Sequence, residues 1–296
     1  MGESDFRHSA EHIRLEIERK LTSCGILCRV FARGKGHNSL SSKLASVLED
    51  GATAKYQVGK KHLQDAIGVR VVLYFSDDIE IVRRILCANY SVREESIDTP
   101  TSEEFSVTRY NLVFEMPEIH CKEMQRIIHD RPIDTTFEAQ IRSVLSEGWH
   151  EVEHDLRYKQ KEHWEGSDDL SRALNGIVAA LETSEWGMRK IFDDLAYRHY
   201  KKKNWEAMLN LKFRMRVSLG LDERLKAIFD EDNEVAKKFL RMDRAKVMLA
   251  YSERYISIPL TLANIIYILN SIGGISERIS LITPSVISRI SVEDVA

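Results

Sequence analysis

Cysteine is scarce in this chain and never paired. Of 296 residues only Cys24, Cys28, Cys87 and Cys121 are cysteine, and none is in C-x-x-C spacing. A disulfide framework and a cysteine zinc site are therefore not encoded, and the thiols read as packing residues of a cytoplasmic protein. Neither sign of charge dominates: 43 Lys and Arg face 46 Asp and Glu, a net charge of -3. That excludes bulk nucleic-acid binding through an overall basic field and permits only local patches. The opening MGESDFRHSAEHIRLEIERK has no apolar run after a positive start, so no secretory signal is expected. No G-x-x-x-x-G-K-[ST] loop occurs, which excludes a Walker A site, and no repeat of solenoid period is visible. One run, Tyr255 to Ser276, lacks charge altogether. Pro259, Asn264, Asn270 and Gly273-Gly274 interrupt it, leaving a helical core of about a dozen residues, the length of a buried or oligomer-facing helix and not of a membrane span.

What is present is an ordinary globular composition, 43% hydrophobic and 30% charged, long enough for a full core and two structural units. Phe6, Ala10, Ile13, Ile17 and Leu21 recur at helical spacing and predict an opening amphipathic helix. ILCRVFARGKG reads as a β-rich run, and Ser39 to Asp50 as a short helix with Leu40, Leu44, Val47 and Leu48 inward. VRVVLYF is a continuous apolar run of strand length, expected to be central and buried on both faces. Ser76 or Asp77 is placed to cap the next helix, DDIEIVRRILCA, with Ile79, Val82 and Leu86 facing in. Tyr90 to Glu94 and Tyr110 to Glu115 predict further strands, joined by the long polar loop SIDTPTSEEFSVT.

The stretch Thr135 to Lys159 organises the first half. It begins with alternation that puts Glu138, Gln140 and Arg142 on one face of a strand and Ala139 and Ile141 on the other. It then changes to helical spacing, with Leu145, Trp149, Val152 and Leu156 as the expected buried stripe. Together these elements predict an α+β or α/β unit, about five strands around one mixed sheet flanked by helices, over residues 1–165. Residues 166–296 read as an all-helical region. There Leu170, Leu174, Ile177, Leu181, Met188, Ile191 and Leu195 form one long stripe behind a Ser167 cap. That stripe and the apolar run near Ile265 point to self-association as a homo-oligomer or to clamping onto an inhibitory protein.

Three patterns carry chemistry. Arg33 and Lys35 share a strand face, and Ser39 and Lys43 share a helix face. The cations meet where a strand runs into a helix start, a geometry suited to a polyphosphate, with Gly34 and Gly36 letting backbone approach. RGKGHNS reads equally as a solvated basic turn. Asp65, five residues before Arg70, and Glu138 offer two carboxylates from different strands, the hard oxygen ligands that magnesium prefers; Asp65 reads also as a turn cap. HEVEH, His150 to His154, matches the zinc-protease pattern H-E-x-x-H, but its polar residues lie off the apolar stripe and no downstream H-x-x-G-x-x-H follows.

In order along the chain, Arg33-x-Lys35-x-x-x-Ser39-x-x-x-Lys43, DAIGVRVVLYFSDDI, and FEAQIR with Trp149, His154 and Tyr158-Lys159 resemble the synthetase domain of the RelA/SpoT family, the enzymes that make ppGpp and pppGpp. The resemblance spans about residues 20 to 160. It implies a nucleotidyltransferase-like mixed sheet and transfer of the β,γ-pyrophosphate of ATP to a ribose 3′-hydroxyl. It also implies that Arg33, Lys35, Ser39, Lys43 and Arg70 bind ATP, and that Asp65 and Glu138 share a Mg2+ ion with Glu138 as general base. Gln140, Arg142 and His154 would then act in support.

The acceptor segment departs from the family's Gly-Tyr-x-Ser-x-His. Here it reads SVTRYNLVFE, with Val107 at the tyrosine and Asn111 at the histidine, so guanine stacking falls to Phe105 or Tyr110 if any ring serves. The implied acceptor is GDP or GTP. An adenine nucleotide or the 3′ end of tRNA, as in toxic members, is the alternative, and a toxin or phage-defence effector of that kind would use YKKKNW, Lys212, Arg214 and Arg216 for phosphate contacts. A non-catalytic nucleotide-binding module is the third reading. Little sequence precedes the synthetase-like region, so a monofunctional protein without the family's hydrolase half is expected.

Overall fold

Alternating strands in the first half build one sheet with two unlike faces. The computed structural model describes residues 4–48, 51, 53–98, 109–128, 131–218 and 220–292. The chain divides into two compact units, one comprising Met1–Arg19 and Cys28–Leu181, the other Lys20–Leu27 and Glu182–Ala296. In the first unit, β1 (Cys28–Gly34), β2 (Ile67–Leu73), β3 (Val92–Asp98), β4 (Arg109–Glu115) and β5 (Thr136–Ser143) pair in the order β1-β2-β5-β4-β3. The β2–β5 pair is parallel and the other three are antiparallel. This is the mixed five-stranded α+β sheet expected from the sequence.

One face carries Val30, Val69, Val71, Leu112, Phe114, Phe137, Ala139 and Ile141, all buried, each worth roughly 1.5–3 kcal/mol for a full-sized side chain. The Phe114 and Phe137 rings stack at 5.4 Å, and Tyr90 meets Phe137 edge-on at 5.3 Å. Helix α1 (Ser4–Ser23) buries Phe6, Ala10, Ile13, Ile17 and Leu21 as its spacing predicts. Its Glu16 accepts a hydrogen bond from the Tyr90 hydroxyl at 2.9 Å. A Cβ at Gly34 would stand 2.6 Å from the backbone of Phe6 and Arg7. That glycine is thus required by the approach of α1.

Helix α2 (His37–Leu44) is shorter than expected: it stops at Leu44, Ser46 turns back onto the Lys43 carbonyl at 2.6 Å, and Val47 and Leu48 are exposed instead of inward. Helix α3 (Ile79–Asn89) buries Ile79, Val82 and Leu86, with Ile81 and Ile85 alongside. Helix α4 (Glu118–Ile128), which no sequence pattern announced, packs through Met124 and Ile128. Ser143 caps α5 (Val144–Leu156), accepting from the Ser146 amide at 3.1 Å. The stripe expected to seat α5 fails: the helix has no buried residue, and Val152 and Leu156 are about half exposed. Its polar side makes the tight contacts instead.

Helix α6 (Asp168–Lys201) spans 34 residues, but Leu170, Ile177 and Ile191 of its expected stripe are exposed while Val178 and Ala196 are buried. Apolar spacing defines a face; it does not say what covers it. In the second unit, α7 (Trp205–Phe213), α8 (Glu223–Glu231), α9 (Asn233–Leu240), α10 (Arg244–Ala250), α11 (Leu262–Gly273), α12 (Glu277–Ile282) and α13 (Ser285–Val292) enclose their own core. Its centre is α11, where Ile265, Ile266, Tyr267, Ile268 and Leu269 are all buried, as a helix apolar on every side must be. Among the described residues no helix is long and apolar enough to cross a membrane.

Candidate functional site

The second face of the sheet is polar, and its register explains why. Arg33 pairs with Gly68 and Phe31 with Arg70 across β1 and β2; Gly68 pairs with Glu138 and Arg70 with Gln140 across β2 and β5; Gln140 pairs with Asn111 of β4. Paired residues share a face, so Arg33, Arg70, Glu138, Gln140 and Asn111 form one polar floor. Helix α5 supplies the wall. Between them is a cleft of about 820 Å³ whose lining includes Arg33, Lys35, Asp65, Arg70, Glu138, Gln140 and His154.

Asp65 sits just before β2, where the chain from β1 and α2 comes back. The Lys35 ammonium donates to Asp65 Oδ2 at 3.0 Å and to its backbone carbonyl at 2.9 Å, and the Lys43 ammonium donates to the same Oδ2. Burial alone would raise the Asp65 carboxyl, but the Lys43 hydrogen bond and the Lys35 charge outweigh it and hold the group below the usual carboxylate value. Burial lowers the Lys35 ammonium. Glu138 is pushed the other way. Its burial, and next the negative charge of Asp65, raise its carboxyl above the ordinary glutamate value, which makes it a proton acceptor better matched to neutral pH than a free carboxylate. Gln140 steadies it, donating to Glu138 Oε2 at 3.1 Å while accepting from Arg70 Nε at 3.2 Å.

Glu147, which no motif singled out, and Glu151, read only as part of the H-E-x-x-H pattern, complete the wall. Arg70 Nη1 donates to both Glu147 and Glu151, one turn apart on α5. Glu147 also accepts from the buried Arg142 at 3.1 Å. The readable signal was there: acids at i and i+4 beside His150 and His154 mark one polar helical face. Arg142 is thus a buried brace behind the floor. Ser39 is exposed on α2 and absent from the lining.

The acceptor side is only partly placed. Phe105 and Val107 lie outside the described residues. Asn111 stands on the cleft face with a buried Oδ1 that has no partner among the described residues. Tyr110 stands on the opposite face with Leu112 and Phe114, its hydroxyl raised by burial and by Glu80 of α3, so its ring does not offer the cleft a base platform. His150, Glu151 and His154 do line the cleft. Among the described residues, however, no group of three or more His, Cys, Asp or Glu side chains could hold a metal ion. In the second unit Arg214 is buried, its Nε and Nη1 away from solvent, which removes it from the surface phosphate contacts considered for tRNA.

Residues 32–163 match the family model described as a region found in RelA / SpoT proteins. Over 119 residues the chain is 28% identical to the GTP pyrophosphokinase YjbM of Bacillus subtilis (strain 168), covering 39% of this chain and 53% of that protein. The match thus spans about half the length of that curated relative. Among solved structures, small alarmone synthetase 1 from Bacillus subtilis bound to its product pppGpp is similar at a TM-score of 0.49 and 22% identity, over 65% of this chain and 95% of that one. A GTP pyrophosphokinase family protein from Streptococcus pneumoniae gives 0.49 and 22% over 64% and 91%.

Proposed function

We propose, from a chain whose residues 32–163 carry a region found in RelA / SpoT proteins, that the cleft transfers the β,γ-pyrophosphate of ATP to the 3′-hydroxyl of a nucleotide, as the name of the relative GTP pyrophosphokinase suggests. The observation that supports this most is the meeting of Asp65 and Glu138, far apart in sequence, on one cleft beside Lys35, Lys43 and Arg70. Phosphoryl-type transfer needs little covalent help from the protein; positioned cations, a metal and a base in reach supply most of the rate.

Lys35 and Lys43, which neutralise Asp65 in the free chain, turn to the triphosphate, and Arg33 and Arg70 hold its flank. Asp65 and Glu138 fit a magnesium ion: Asp65 Oδ1 is buried without a partner among the described residues, both groups are hard oxygen donors, and two carboxylates completed by phosphate and water are magnesium's usual set. Magnesium, when bound there, neutralises charge on the phosphates. Glu138 takes the proton of the acceptor hydroxyl as its oxygen bonds to the β-phosphorus; the bond from that phosphorus to the α-phosphate oxygen breaks, and AMP leaves. Gln140 keeps the Glu138 carboxylate turned into the cleft. GDP or GTP is the acceptor favoured here. The tRNA reading loses Arg214 as a contact.

The test is to incubate the full chain with ATP labelled in its β- or γ-phosphate, magnesium, and GDP, AMP or deacylated tRNA in turn. A labelled guanine nucleotide is expected. A product only on AMP or tRNA changes the acceptor, and no product with any of them removes the enzyme reading. Glu138→Gln is expected to abolish labelling while still binding a non-hydrolysable ATP analogue; retained labelling would overturn its role as base.

A further inference from the structure

Two ammonium groups share one carboxylate oxygen at the centre of the cleft. Lys35 follows β1, Lys43 lies in the last turn of α2, and both donate to Asp65 Oδ2. The other oxygen, Oδ1, is buried without a partner among the described residues. The charges of Asp65, Lys35 and Lys43 all act on Glu138. Two carboxylates and two ammonium groups thus form a set that is already neutral. A bare divalent cation gains little from it, because at similar distances each ammonium repels the ion as strongly as each carboxylate attracts it. The ion would also have to shed part of a hydration shell that magnesium gives up reluctantly, and carry its own charge unbalanced into a half-buried cleft.

The two lysines differ in what holds them. Lys35 keeps 15% of its side chain exposed and donates also to the Asp65 backbone carbonyl at 2.9 Å, a bond that does not depend on the carboxylate. Its own amide donates to the Ala66 carbonyl at 2.9 Å. Lys43 is 38% exposed and, among the described residues, bonds Asp65 Oδ2 alone. Its flexible four-carbon stem reorients without any movement of the backbone. A polyphosphate entering beside it offers the same ammonium several anionic oxygens. Lys43 then leaves Asp65 while Lys35 stays, and the set gains the negative charge that a dication needs. We infer that Lys43 gates the metal position: it withholds Asp65 from free divalent cations and yields it only to a polyphosphate, so that metal and nucleotide enter as one unit. This rests on the reading of Lys35, Lys43 and Asp65 as the donor's phosphate and metal site.

Mn2+, a carboxylate-binding ion whose free form gives a paramagnetic resonance signal that is lost on binding, is the probe. The full chain is titrated with Mn2+ alone as wild type, Lys43→Met, Lys43→Gln and the double variant Lys43→Met/Asp65→Asn; the second Lys43 variant guards against a folding defect in the first. One unit charge removed about 4 Å from a dication is worth about thirtyfold in water. Both Lys43 variants are therefore expected to bind Mn2+ about thirtyfold tighter than wild type, and Asp65→Asn to abolish the gain. Calorimetry with a non-hydrolysable ATP analogue and magnesium tests the donor reading separately. There the Lys43 variants should bind several-fold more weakly than wild type, the opposite sign, which a general loosening of the cleft would not produce. If wild type binds Mn2+ as tightly as the Lys43 variants, or the gain survives Asp65→Asn, the gate is wrong, and the donor reading stands as long as the analogue binds. If wild type does not bind the analogue, the donor reading falls and the gate falls with it.

Discussion

Glu147 has two guanidinium partners of unlike burial, and that difference makes its contribution separable from that of Glu151. Arg142, its partner behind the floor, keeps 4% of its side chain exposed, while Glu151, which shares Arg70 with it, is half in water. Removing one member of a buried pair leaves a charge that neither water nor protein neutralises, a loss of about 3 kcal/mol; an exposed pair is worth about 1 kcal/mol or less because water and salt screen it. Urea unfolding of Glu147→Ala should therefore show a loss several times that of Glu151→Ala. Equal losses would mean that Arg142 is held by its other contacts and that Glu147 serves only Arg70. The Glu138, Gln140, Arg142 row was legible from alternation alone, since three polar residues on one face of an otherwise apolar strand require partners. Those partners were not legible, because a row on a strand does not reveal which helix will lie across it.

Helix ends were read from local sequence with little success: Ser76 and Asp77 lie in a short 3-10 turn ahead of α3, whose start has no side-chain cap bond, whereas α8 is capped by a residue that no sequence pattern singled out. Asp222 opens α8 by accepting from the Arg224 amide at 2.8 Å, and it also receives the Arg224 guanidinium at 3.0 Å and the Tyr267 hydroxyl at 3.3 Å. The Arg224 hydrogen bond is the main reason its carboxyl is held below the ordinary 3.8. A group depressed in the folded chain contributes stability above its unfolded value and loses it as pH falls through the folded one. Asp222→Ala should cost about 1 kcal/mol at neutral pH, and its gap from wild type in urea should close as the pH drops below 3.8. A gap that persists in acid would assign the effect to packing. Helix α4 was invisible in the sequence because Met124 and Ile128 are its buried contacts while Ile119 is 80% exposed, too dilute a stripe to read. In α5 the apolar stripe was legible but misleading: ion pairs to Arg70 and Arg142, and not Val152 or Leu156, fix which side of the helix meets the sheet.

At the scale of the chain, two units with separate cores leave two places for a nucleotide to act, and the reading offered here commits to one. Every cleft residue belongs to Cys28–Leu181, while the helical unit has its own apolar centre around α11 and a surface that includes Lys201, Lys202 and Lys203. A ligand that binds only the folded form slows opening of the segments it contacts, by about 2.7 kcal/mol at a hundredfold excess over its dissociation constant. Amide hydrogen exchange with and without the non-hydrolysable ATP analogue and magnesium should then protect β1, α2, the start of β2 around Asp65, β5 and the first turns of α5. These segments are distant in sequence and adjacent only through the β1–β2–β5 register, so protection of all of them together is a fingerprint no single basic turn could give. Protection confined to residues 33–43 would reduce the site to a solvated phosphate-binding loop without Glu138. Protection among residues 201–292 would move nucleotide binding to the helical unit and make the cleft something other than a donor site.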